Sequence, residues 1–69
     1  MKTLDVVALI NDMPEKHLRR GQVGTIVEPL ETDVFEVEFS DLDGNAYAMS
    51  AVAAKNLMLL HHVPDAVAA

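Results

Sequence analysis

The chain contains no cysteine and no tryptophan. Disulfides, thiolate-ligated zinc and a cysteine nucleophile are thereby excluded. Aromatic residues are confined to Phe35, Phe39 and Tyr47, so Val, Leu, Ile and Ala must build most of any core. Cations are scarce as well: five Lys+Arg stand against eleven Asp+Glu, a formal charge of −6. That balance repels phosphate backbones and counts against nucleic-acid binding. No apolar run approaches the roughly 20 residues of a transmembrane helix. Val6 to Ile10, following Asp5, is too short for the core of an export signal. A cytoplasmic location is the expectation that follows.

What remains fits one small folded domain. At 69 residues, 51% hydrophobic and 23% charged, the chain is too apolar for disorder and too short for a second domain. Ordering it costs on the order of 100 kcal/mol, at roughly 1.5 kcal/mol per residue, which apolar burial must nearly match.

The strongest local pattern is Asp33 to Ser40, in which Phe35, Val37 and Phe39 alternate with Glu36, Glu38 and Ser40. A period of two predicts a strand with one buried and one wet face. Asp41-Leu42-Asp43-Gly44 follows, and Gly44 supplies the positive φ of a tight hairpin. Leu4 to Ile10, β-branched and closed by Asn11-Asp12 and Pro14, predicts a short strand buried on nearly both faces. Residues 11 to 20 read as a polar loop with one helical turn. Gln22 to Glu28 predicts a strand in which Gly24 marks a bulge or a close backbone approach, and Pro29 limits its continuation. Ala46 to Leu60 admits two readings. Its alanines and the spacing of Met49, Val52, Ala53, Leu57 and Leu60 suit a helix. The alternative is a strand over Ala46 to Ser50, a helical turn near Ala53 to Asn56 and a last strand from Leu57 to about His61. The need of the Phe35 to Phe39 strand for partners on both sides favours the second. Residues 63–69 are expected to form a flexible tail, leaving 1–62 as the domain.

Arg20-Gly21-Gln22-Val23-Gly24-Thr25-Ile26-Val27-Glu28 resembles the segment at which a small SH3-like barrel begins its second strand, and the Gly-x-Val-Gly run is similar to that of KOW-type modules. On this reading Gly21 turns the incoming loop, Val23 enters the core and Gly24 lets a neighbouring strand pass close. The whole chain resembles domain-of-unknown-function family 4926, a family of small bacterial proteins. The resemblance rests on Asp5 to Leu9, Arg20 to Glu28, Phe35 to Phe39, Asp41 to Gly44 and Ala54 to Leu57. It implies a mostly-β, five-stranded SH3-like barrel with one short helical turn before the last strand, and it implies no activity. RNA-binding KOW proteins carry basic loops. Here Glu28, Glu31, Asp33, Glu36, Glu38, Asp41 and Asp43 follow the motif with no intervening cation.

No constellation in the sequence completes a chemistry. His61 and His62 are adjacent, which on a strand sends them to opposite faces, and His17 is remote from both. Asp41, Asp43 and Asn45 alternate around Gly44, yet an EF-hand needs its glycine sixth and a Glu twelfth, where this chain has Val52. Glu36 and Glu38 share a strand face, but the wet one, whereas a catalytic acid calls for burial or a close like charge. Ser40 and Ser50 lack a base, and no glycine loop cradles phosphate. A barrel this small fills its interior with side chains.

The expectation is a non-catalytic interaction or accessory module without metal or cofactor. Lys2, Lys16, Arg19 and Arg20 cluster in the first 20 residues ahead of an acidic centre. The candidate surfaces are therefore the loop of His17, Arg19 and Arg20 and the face of Glu36 and Glu38, offered to a protein partner. An RNA- or ribosome-associated KOW-like role and an antidote or immunity role against a basic partner are the alternatives. Monomer and homodimer both stay open.

Overall fold

The computed structural model describes residues 1–62. The tail expected over 63–69 lies outside the described residues. Five strands run β1 Val6–Leu9, β2 Val23–Glu31, β3 Val34–Ser40, β4 Ala46–Ala53 and β5 Leu57–Leu59. They form one antiparallel sheet in the order β4-β3-β2-β1-β5. The only helical pieces among the described residues are 3-10 turns at Pro14–Lys16 and Ala54–Asn56. The mostly-β expectation holds, including the helical turn before the last strand, although β4 runs on to Ala53 rather than Ser50 and β5 stops at Leu59 rather than about His61. The helical reading of residues 46 to 60 does not.

β3 organises the rest because its alternation is complete. Phe35, Val37 and Phe39 are buried, and Glu36, Glu38 and Ser40 lie on the opposite face. Val7, Leu9, Leu18, Ile26, Val52 and Leu57 complete the core around them. Three of the four residues of β1 behave as a two-sided strand should: Val7, Ala8 and Leu9 are buried.

In β2 the inward positions are Gly24 and Ile26. Val23, expected in the core, is instead 41% exposed. Successive side chains alternate, so placing Gly24 inward against Phe39 forces Val23 out. The glycine is required there. A Cβ on Gly24 would sit 2.6 Å from Val37 Cγ1 and 2.8 Å from the Glu38 carbonyl oxygen. Gly24→Ala is expected to cost about 1–3 kcal/mol, since a backbone oxygen cannot rotate away. A urea midpoint unchanged from that of the parent would show that β2 and β3 are less tightly opposed.

Turn chemistry closes the β3–β4 hairpin. Asp41 Oδ1 accepts from the Asp43 and Asn45 amides, each at 2.9 Å, and Gly44 takes φ +81°. Gly21, at φ +92°, makes the turn into β2, where its amide donates to the Leu9 carbonyl at 2.7 Å. The β2–β3 connection instead places Asp33 at φ +58°, a conformation Asp tolerates better than most residues.

Candidate interaction surface

The acidic face is built by two ladders and one bulge. In the β3–β4 ladder Glu36 faces Ala51 and Glu38 faces Met49. In the β2–β3 ladder Glu38 faces Thr25 and Glu36 faces Glu28. Simple alternation would have put Glu28 on the same side as Ile26, in the core. The register shift between Ile26 and Glu28 leaves Val27 unpaired and moves Glu28 to the outer face beside Glu36. No register partner of these three acids is a cation. Glu36 and Glu38 are half-buried, more enclosed than a fully solvated face implies, and Glu28 is exposed.

Like charges set directly opposite on a ladder are destabilising. Glu28→Gln is therefore expected to raise stability by about 0.2–1 kcal/mol, towards the lower end because solvent screens an exposed carboxylate. Paired urea melts at low and high salt check this. A gain that survives high salt would assign the effect to something other than repulsion.

The basic loop is held differently. Pro14–Lys16 forms a 3-10 turn ended by His17, which adopts a left-handed φ of 59° with its amide donating to the Pro14 carbonyl at 3.1 Å. Leu18 then drops into the core, 2% exposed, while its backbone exchanges hydrogen bonds of 2.8 and 3.1 Å with Met13. The Arg19 amide donates to Gln22 Oε1, and the Arg20 amide donates to Asp12 Oδ1 at 2.8 Å. His17, Arg19 and Arg20 are thus exposed around a buried anchor. Neither the burial of Leu18 nor the bulge at Val27 follows from local sequence pattern. An isolated leucine between charged residues was the available signal for the first.

One long-range contact joins this loop to the sheet. Lys16 Nζ donates to the Ala51 carbonyl of β4 at 2.7 Å. That places Lys16, rather than His17, Arg19 or Arg20, against a residue that flanks Glu36.

His61 and His62 are both exposed. With Lys2, Asp5, Leu59 and Leu60 they line an open depression of about 300 Å³. Asp5 Oδ2 there accepts from the Lys2 backbone amide at 2.8 Å. Among the described residues no three His, Asp or Glu side chains converge as a metal site would require. No helix among them is long and apolar enough to cross a membrane.

A protein-family model described as Domain of unknown function (DUF4926) matches residues 3–59. No curated protein and no solved structure matches the chain.

Proposed function

The chain belongs to the DUF4926 family, whose model spans all five strands, and on that premise we propose that it is a non-catalytic protein-interaction module on an SH3-like barrel. The observation that carries this reading is the row of Glu28, Glu36 and Glu38, two of them directly opposed and none facing a cation. A basic partner relieves that repulsion, so the face gains more from association than a neutral one would.

Support for the non-catalytic half comes from the interior. Among the described residues every buried side chain is apolar. Acid, base or nucleophile catalysis draws on groups whose surroundings tune them, and the ionisable groups here lie on the surface or are half-covered. The KOW-like segment does not favour RNA, because the face it leads into is acidic. Neutralisation of a basic toxin would use the same surface for a narrower purpose.

The test is affinity capture with the full chain from the cells that produce it, at low and at raised salt, alongside the Glu36→Gln/Glu38→Gln double variant. The expected result is a protein retained at low salt, released as salt rises, and lost with the double variant. Retention of nothing at low salt overturns the proposal. So does micromolar retention of mixed RNA in a filter-binding titration.

A further inference from the structure

β4 ends the sheet, and its free edge is unusually bare. Ala46–Ala53 reads AYAMSAVA, eight residues without charge, proline or glycine. Soluble proteins ordinarily blunt such an edge with charges, prolines or bulges along the strand; here the register shift that leaves Tyr47 unpaired lies near the start of β4, and Ala48–Ala53 pairs with β3 without a break. The backbone groups that face outward can be identified. The Ala54 amide donates to the Asp33 carbonyl at 2.7 Å, extending the β3–β4 ladder by one pair. Alternation then turns the Val52 and Ser50 backbones toward β3, and those of Ala53, Ala51 and Met49 toward the open side. Lys16 Nζ on the Ala51 carbonyl agrees with that assignment. Ala51 and Met49 are exposed, so the edge is accessible except where Lys16 sits on it.

We propose that this edge accepts an extended basic segment of a partner protein as a sixth strand, with the segment's cations lying over β4 onto Glu36 and Glu38. The inference rests on the interaction reading above and narrows its partner to a strand. Charge selects this occupant. An added strand lies about 10 Å from β3, two strand spacings away. Arginine or lysine reaching over the small Ala51 meets Glu36, and one beside Met49 lays its apolar stem on the thioether on its way to Glu38. A second copy of the chain suits the edge poorly: it brings another charge of −6 and a β4 without a single cation. Lys16 acts as a removable plug, its ammonium holding the carbonyl that a partner amide takes over.

The experiment titrates the full chain with a synthetic peptide alternating arginine and valine. It is repeated with the same peptide N-methylated at every second residue, so that its pairing edge lacks donors. The plain peptide is expected to bind in a salt-sensitive manner, and the methylated one about tenfold or more weakly. Glu36→Gln/Glu38→Gln should weaken the plain peptide several-fold. Lys16→Met should tighten the plain peptide more than the methylated one, since losing a cation beside Ala51 favours both by charge and only the plain one can donate to the freed carbonyl. Equal affinity for both peptides reduces the event to charge attraction without pairing and overturns the proposal. So does an affinity unmoved by Lys16→Met, or a concentration-dependent dimer in sedimentation with no peptide bound. A cellular protein captured through Glu36 and Glu38 while both peptides fail leaves the interaction reading in place and removes the sixth strand alone.

Discussion

Phe39→Ala is expected to leave the chain without a cooperative urea transition at 25 °C. The Phe39 ring is fully buried at 0% exposure, and its neighbours on the two ladders are Gly24 in β2 and Ala48 in β4. Two small residues flank one large one, so the ring occupies space that neither neighbour can fill. The contact at 3.1 Å between its Cδ1 and the position a Gly24 Cβ would take shows how closely it is seated. Truncation of such a phenylalanine costs about 3–5 kcal/mol. A domain of this size without disulfide or metal holds roughly the same total, so the deficit consumes the whole margin. Phe39→Leu is the companion variant. It keeps most of the apolar volume and should retain a cooperative transition at a lower midpoint. A Phe39→Ala chain melting where the parent melts would show that the core is held elsewhere.

Leu18→Ala is expected to cost about 2–5 kcal/mol, a core-sized loss from a loop position. Leu18 is the only fully covered side chain between β1 and β2, and it belongs to the cluster that includes Phe39, Val37 and Leu57. Its backbone is bridged to Met13 in both directions, so one side chain anchors the turn that presents His17, Arg19 and Arg20. Amide exchange should show protection lost first over residues 13 to 22, with β3 retaining the most. Leu18→Met, which preserves volume, separates packing from backbone effects and should exchange nearly as the parent does. Uniform loss of protection in the loop and β3 together would mean the loop has no independent opening, and that Leu18 serves only the global core.

The degree to which the sequence could be read differs from strand to strand. DVFEVEFS is legible because a period of two states both which residues are buried and what the other face carries, whatever packs beside it. Asp41 and Gly44 are legible because turn residues act on their own backbone within a few positions. Residues 46 to 60 are ambiguous in sequence since alanine supports a helix locally. β3 prevails because its unpaired edge needs partners more than alanine needs a helix. Val23 is illegible for a related reason: β2 contains candidates on both faces, and only its opposition to β3 chooses between them.

The amino-acid order alone therefore determines a small acidic β domain, the two faces of β3 and the turn that follows it. Three features belong to the tertiary structure: Glu28 turned out beside Glu36, Leu18 anchored in the core, and Lys16 seated on the edge of β4. Each depends on residues far apart in the chain, and local propensity carries no information about which distant backbone will stand opposite.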